Sequence, residues 1–443
     1  MIKKGSLTGL LLFGMFFGAG NLIFPPQLGL ESGQNFWPAI GGFVLSGVGI
    51  AILTLIIGTL NPKGYIDEIS KKIAPWFAVV YLVALYLAIG PFFAIPRTAT
   101  TAFSVGIEPM LPAGSHAIWL FGFTLVYFAL AYLIALNPSK ILDSIGRYLT
   151  PIFALLIVVL VVLGAAKYGS TAPQGATGEY AASAFGAGFL QGYNTLDALA
   201  SVAFSVVAVT TLNQLGFKNK KEYISTIWVV GILVALGFSV LYIGLAFLGN
   251  HFPLNLANLP KGANVGASVL SSATQAIFGL MAQIFLAIMV TVTCFTTTAG
   301  LIVSTGEFFH NTFSKVSYKV YATIFTLVGF AIANLGLNAI IQYSVPALEI
   351  LYPITITIVM IVMVNRFLPL SKPGMQLTIA VVTLIAFASI LGRQFKLTAI
   401  LNLVNALPFA QASLPWLLPA LVGILLSLLL PNKQKSDAFE FEA

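Results

Sequence analysis

The chain has 443 residues, 58% hydrophobic and only 8% charged, with 21 Lys and Arg against 13 Asp and Glu and a net charge of +8. A soluble domain carries roughly 25% charged residues, so this composition excludes one. The basic residues lie in short links between apolar runs rather than in patches with interleaved aromatics, which argues against a nucleic-acid surface, and the single cysteine, Cys294, rules out an intrachain disulfide.

Apolar stretches of about 20 residues recur from end to end, each long enough to cross a ~30 Å hydrocarbon core as a helix. The weak alternating pattern of a membrane β-barrel is missing. The reading is an all-α membrane protein with spans at 7–30, 36–60, 75–104, 115–136, 148–167, 188–215, 223–249, 274–305, 319–336, 338–364, 375–392 and 413–430, twelve transmembrane helices in all. The N-terminal stretch MIKKGSLTGLLLFGMFFGAG has the basic start and apolar core of a signal peptide. Its apolar run continues through Asn21 to Leu30, however, so it reads as an uncleaved first span. Turn dipeptides Asn61-Pro62 and Asn137-Pro138 punctuate the links. Span three, at 1.5 Å rise per residue, is expected to be ~45 Å long and therefore to tilt or protrude. Of the two longest outer links, 168–187 and 250–273, the second is apolar enough for a short surface helix.

Charge orients these spans. Links on the N-terminal side carry sixteen Lys and Arg, from Lys3 and Lys4 to Lys433 and Lys435, whereas the other side holds only Lys167, Lys261, Arg393 and Lys396. By the positive-inside rule both termini are cytoplasmic, in a cell membrane.

Span one contains the segment GMFFGAGNLIFPPQLG, residues 14–29, which is poorly suited to remain a continuous helix. Gly costs about 1 kcal/mol and Pro about 3 kcal/mol in a helix interior, and freed backbone groups at membrane depth need partners in the protein or a cavity. Running outward, an inner half-helix ending near Gly18 would leave the carbonyls of Gly14, Met15, Phe16 and Phe17 for a cation. An outer half beginning near Asn21 would offer N–H groups to a carboxylate, and Gly18, Ala19 and Gly20 would admit a ligand close to the backbone. Close helix packing explains Gly14 and Gly18 equally well, but not Asn21 or Pro25-Pro26.

Span six, GFLQGYNTLDALASVAFSVVAV, is interrupted in the same manner by Gln191, Gly192, Asn194, Thr195 and Asp197. Spans one and six are five apart, and an odd repeat returns inverted. Paired interrupted helices are the best sequence pointer to a transporter site between inverted repeats. The expectation is a 5+5 inverted repeat, about 7–167 and 188–364, plus two C-terminal helices at about 375–430, all in one transmembrane domain. Carbonyls near Gln191–Asn194 would suit an ammonium group, so the two breaks together would hold the head of an amino acid.

Span eight adds Thr291, Thr293, Thr296, Thr297 and Thr298, hard oxygen ligands suited to Na⁺. No His/Cys cluster has metal-ligand spacing, His116, His251 and His310 fall in links or at helix ends on both sides, and no nucleophile–base set converges near the midplane, so the chain does not read as an enzyme. Asp197, Arg97 and Glu349 are the ionisable residues within spans. Asp197 would contact a substrate amine, carry a proton or cap the inner half of span six; Arg97 and Glu349 are a possible outer gate pair, with snorkelling the alternative for Arg97.

The strings GMFFGAGNLIFPPQLG, GPFFAIPRTAT at 90–100 and GFLQGYNTLDALAS at 188–201 closely resemble the branched-chain amino acid–cation symporters, the bacterial system II carriers, over essentially the whole chain. The resemblance implies the LeuT-type fold of the amino acid–polyamine–cation superfamily and uptake of leucine, isoleucine and valine driven by Na⁺, without another cofactor. Gly14 and Phe17 match the helix-one carbonyls of the shared sodium site, Thr297 and Thr298 its helix-eight hydroxyls, and Asn21 a second-site asparagine of neurotransmitter-type relatives. Those relatives have an arginine where this chain has Phe24, so their outer ion-pair gate does not carry over. An apolar substrate side chain fits a pocket lined by Phe16, Phe17, Phe92 or Phe93. Proton coupling through Asp197, or an ion channel, are the competing readings.

Overall fold

The computed structural model describes residues 13–14, 16–112, 116–136, 140–213, 220–256, 259, 262–431 and 433–434. Most of the inner half of span one, the Met15 carbonyl, the Asn137-Pro138 turn and Lys3, Lys4, Lys218, Lys261 and Lys435 lie outside the described residues.

Helix α1 (Ala19–Ser32) begins directly after non-helical Phe17 and Gly18 and runs through Pro25 and Pro26. The prolines therefore do not end the helix. They remove the N–H groups that would bond the carbonyls of Asn21 and Leu22. Gly33, with φ +49°, separates α1 from α2 (Phe36–Val44), which continues through a π-turn into α3 (Ile50–Thr59). A helix absent from the sequence reading, α4 (Gly64–Lys72), fills the following link.

Span three is not one long tilted helix. It is α5 (Pro75–Leu87), a π-turn containing Pro91 with non-helical Gly90, then α6 (Ala94–Ala102) and further irregular turns to Met110. The missing N–H of Pro91 and the φ of −130° at Phe93 account for the kink.

Next come α7 (His116–Leu136), α8 (Lys140–Tyr168) and the single turn α9 (Glu179–Ala182). Span six is divided into α10 (Ala184–Tyr193) and α11 (Asp197–Asn213), followed by α12 (Lys220–His251). The expected surface helix is α13 (Val265–Phe278), and it is half core: Gly266, Leu270 and Ala273 are buried, and Gly266 rests on the Ile23 carbonyl. Then follow α14 (Leu280–Thr312), α15 (Tyr318–Ala333), α16 (Leu337–Phe367), α17 (Lys372–Gln394), α18 (Thr398–Asn405) and α19 (Leu417–Leu429). A two-residue antiparallel pair, β1 (Leu370–Ser371) with β2 (Lys433–Gln434), ties the end of the described chain to the start of α17.

Among the described residues, seven helical stretches are long and apolar enough to cross a membrane, with four shorter apolar helices beside them. Burial reveals the layering. Helix α1 is buried on almost every side, whereas α7 exposes Ile118, Trp119, Leu125, Val126, Leu130 and Leu133. A continuous apolar face of that kind is unfavourable in water and natural in lipid. Helix α1 is clamped by backbone contact: a Cβ on Gly29 would lie 1.8 Å from the Ala246 carbonyl oxygen of α12. Close helix approach through small residues is the usual membrane packing device.

Candidate functional site

The gap between Phe17 and Ala19 is held open by one side chain. Phe17 N–H makes the last inner helical bond, to the Phe13 carbonyl at 3.0 Å. Gly18 N–H, the normal partner of the Gly14 carbonyl, instead donates to Asn21 Oδ1 at 2.9 Å. Asn21 thus caps α1 and takes Gly18 N–H away from the Gly14 carbonyl, its normal helical acceptor.

Asn21 also joins the two breaks. Its Nδ2 donates to Asp197 Oδ2 at 3.1 Å and to the Tyr242 hydroxyl, and Tyr242 in turn donates to Asp197 Oδ2 at 2.7 Å. All three are buried. None of the direct ion pairs among the described residues involves Asp197; two neutral donors bond this buried carboxylate at the first turn of α11, the favourable end of the helix dipole, and the Arg97 guanidinium lines the same cavity. Backbone strain sits beside it: Leu196 has φ +66°, a left-handed conformation that a non-glycine residue adopts at a cost of about 1–2 kcal/mol.

The carbonyl end of α10 is largely self-satisfied. The carbonyls of Gln191, Gly192 and Tyr193 accept the N–H groups of Asn194, Thr195 and Leu196 at 3.1–3.2 Å. The next two carbonyls go to Arg97. Its Nη1 donates to Asn194 O at 2.6 Å and its Nη2 to Thr195 O at 3.4 Å. Arg97 neither snorkels nor sits at an outer rim; it is 3% exposed, its Cζ is 5.3 Å from the Phe24 ring centroid, and it lies against both breaks. Gly20 makes this approach possible, because a Cβ there would lie 3.2 Å from Thr195 Cα and 3.3 Å from Arg97 Nη2.

The expected Arg97–Glu349 pair is not formed. Glu349 instead pairs with Arg393, at the end of α17. The two residues fall in different spaces. A cavity of about 50 Å³ is lined by Gly18, Ala19, Gly20, Asn21, Arg97, Thr195, Asp197 and Thr297 on its polar side, and by Phe16, Ile89, Leu196, Phe204 and Leu301 on its apolar side. A larger cavity of about 500 Å³ is lined by Gln191, Asn194, Glu31, Glu179, Glu349 and Arg393. The Asn194–Thr195 backbone contributes to both, one residue to each.

The expected site residues therefore divide. Gly18, Ala19, Gly20, Asn21, Thr195 and Asp197 come together; Gln191 and Asn194 face the larger space; and Gly192 is a packing glycine, with Ser46 Oγ 1.9 Å from where its Cβ would be. Of the threonines, Thr297 faces the small cavity while its hydroxyl donates to the Thr293 carbonyl at 3.1 Å, and the Thr298 hydroxyl is shared among the Cys294 carbonyl at 3.0 Å, Tyr127 at 2.8 Å and Thr98 at 2.5 Å. Of the four expected phenylalanines only Phe16 lines the cavity. Phe17 stacks on Phe13 and meets Phe153 edge-on, away from it, and Phe92 is 41% exposed. Tyr242 and Phe204 were missed: an aromatic in an apolar run carries no signal that separates a site residue from core.

Comparison with known proteins places this geometry. A family model described as branched-chain amino acid transport protein matches residues 1–434. A protein named as a branched-chain amino acid carrier in Staphylococcus haemolyticus is 39% identical over 449 residues, covering 100% of both chains. A like-named protein of Staphylococcus saprophyticus is 39% identical over 451 residues, again covering 100% of both. Among solved structures, Mhp1, a nucleobase-cation-symport-1 family transporter in a closed conformation with bromovinylhydantoin bound, aligns with a TM-score of 0.61 at 14% identity, over 96% of this chain and 91% of its own. MhsT in complex with L-phenylalanine aligns with a TM-score of 0.57 at 17% identity, over 95% of this chain and 97% of its own. Those two likenesses establish the helical transporter fold. The match across the whole chain establishes the rest: this is a multi-pass transport protein rather than an enzyme, and it belongs to the branched-chain amino acid transport protein family.

Proposed function

We propose that the protein is a secondary active symporter that imports leucine, isoleucine and valine together with Na⁺ by alternating access. The carrying observation is the Asn21–Asp197–Tyr242 bridge, which joins the two helix breaks around one small, half-polar cavity. The zwitterionic head lies between the breaks, its carboxylate toward the N–H groups of Ala19 and Gly20 and its ammonium toward Thr195 and the Asp197 side. Phe16, Phe204, Ile89 and Leu301 receive a branched apolar side chain. Na⁺ sits at the carbonyls of Gly14 and Phe17 with Thr297 Oγ1; Thr298 holds the frame of α14 through its three hydroxyl contacts. At about 50 Å³ the cavity is far below the roughly 300–1,000 Å³ of ordinary ligand pockets, so this is a contracted state that opens to load.

The same reading takes the chain as one domain of twelve spans, with a 5+5 inverted repeat, two added helices and both termini cytoplasmic in the cell membrane. Packing supports the repeat: α1, after the first break, lies along α12 as α11, after the second, lies along α3. The larger cavity then opens outward, with Glu349 and Arg393 at its wall.

Purified protein tests this by competition binding. Leucine, isoleucine and valine are expected to compete with one another at micromolar to millimolar levels only when Na⁺ is present. Binding that is indifferent to Na⁺ but rises on acidification would transfer the coupling to Asp197 and a proton, and single-channel currents would point to a pore.

A further inference from the structure

We infer that Arg97 is a resident cation: it occupies the substrate ammonium's seat in the empty transporter and turns to the substrate's carboxylate when that seat is taken. This deepens the symporter reading above and rests on it. The argument starts from the carbonyls of the second break. Five of them, Gln191 to Thr195, face the end of α10; three are closed by the local turn and the last two are taken by Arg97. No carbonyl of that set is left for an incoming ammonium, yet the guanidinium already there is itself a cation on the same acceptors.

The guanidinium is only partly committed. Its Nε is buried without a hydrogen-bond partner among the described residues, an unusual cost for a polar atom of about 1–3 kcal/mol. The side chain lines the small cavity with Gly18, Ala19, Gly20 and Asn21, and its face lies over Phe24, a second weak attraction that needs no fixed hydrogen bonds.

Charge bookkeeping then selects the ligand. An amine without a carboxylate would bring a second cation beside Arg97 and leave the displaced guanidinium only Asp197, a carboxylate already bonded to Asn21 and Tyr242, as counter-charge for two cations. A carboxylate without an amine would find the fork's Nη groups engaged. A zwitterion satisfies both sides: its ammonium takes the carbonyls of Asn194 and Thr195, and the freed fork binds its carboxylate through two parallel N–H···O bonds. The net charge of the site is unchanged, so the exchange adds no unpaired buried charge. Arg97 is thereby a selectivity residue for α-amino acids, and the cost of displacing it excludes simple amines.

The test compares leucine, leucinamide and 4-methylpentanoate for binding to the full chain in Na⁺, in wild type, Arg97→Gln and Arg97→Lys, with thermal unfolding recorded for each. Wild type is expected to bind leucine at least about tenfold more tightly than either analogue, one charge-assisted contact's worth. In Arg97→Gln the leucine-to-leucinamide preference is expected to fall by about tenfold or more, because the ammonium's seat is vacated and the carboxylate's partner is gone. Arg97→Lys keeps the charge but not the fork and is expected to lose several-fold; it carries the test if the glutamine variant does not fold. An unchanged preference in either folded variant, or a wild type that prefers leucinamide, overturns the role of Arg97 while leaving the symporter reading intact. A wild type that binds none of the three compounds overturns both.

Discussion

Asp197 makes no direct ion pair among the described residues and is held by the donors Asn21 and Tyr242, with the Arg97 guanidinium across the same cavity, and that makes it sensitive to small changes. In Asp197→Asn one acceptor becomes a donor facing either the Tyr242 hydroxyl or Asn21 Nδ2, each a donor already. Stability is expected to fall by about 1–3 kcal/mol, and leucine uptake by tenfold or more because the span-one break loses its anchor. The residual uptake is expected to keep the wild-type pH profile; a flattened profile in this variant contradicts sodium coupling and makes Asp197 the proton carrier. Gly20 is a second pressure point. Gly20→Ala pushes a methyl toward Thr195 Cα and the guanidinium, and is expected to weaken leucine binding at least several-fold with a smaller effect on unfolding temperature. Asn21 and Asp197 were legible in the sequence because a polar side chain in an apolar run demands a partner. Arg97 was legible as important but not as central. Measured along an ideal helix from residue 75 it falls near an outer end, whereas the kink at Gly90–Phe93 and the turns after Phe103 keep it at the level of the breaks. Tyr242 was not legible, since only its hydrogen bonds mark it.

Helix α1 shows how an element can contain two prolines and persist. Its partners α12 and α13 meet it backbone to backbone at Gly29, Gly249 and Gly266, so packing outweighs the propensity cost. Gly29→Ala would drive a Cβ into the Ala246 carbonyl and is expected to destabilise the fold by about 1–3 kcal/mol, read as a drop in unfolding temperature greater than that of Gly20→Ala. The link helix α4 is tied down by charge rather than by packing alone: Glu68 pairs with Lys72 at 2.5 Å, and Arg366 of α16 lies 3.6 Å from it. Glu68 and Lys72 are both buried, so Glu68→Gln leaves buried positive charge uncompensated and is expected to cost about 3–5 kcal/mol. A thermal melt that leaves this variant at the wild-type midpoint would show that α4 is not part of the cooperative fold. The helical runs themselves were readable from apolar length, and most boundaries fall within a few residues of the helices found. The link helix and the kinks in span three were not, because they depend on ion pairs and on π-turns that hydropathy does not encode.

Across the whole molecule, the apolar face of α7 turned outward and the fully buried α1 describe a protein whose solvent is lipid and whose polar chemistry is at its centre. The two interrupted helices were visible in the sequence as matching defects five spans apart, and the fold brings them within hydrogen-bonding distance through Asn21 and Asp197. The separation of the small cavity from the wider one was not visible, since it is set by which residues of the second break line each space, Thr195 the small one and Asn194 the wide one. Contraction around the site, with a wider space beyond it, suits a carrier that opens one side at a time, and the symporter proposed above must in addition couple its two solutes. The most direct measurement is leucine uptake by purified protein in sealed liposomes, with an inward Na⁺ gradient, with equal Na⁺ on both sides, and with a proton gradient alone. The account predicts accumulation above equilibrium only with the Na⁺ gradient, collapsing when Na⁺ is equalised. Equal accumulation with and without that gradient would contradict it.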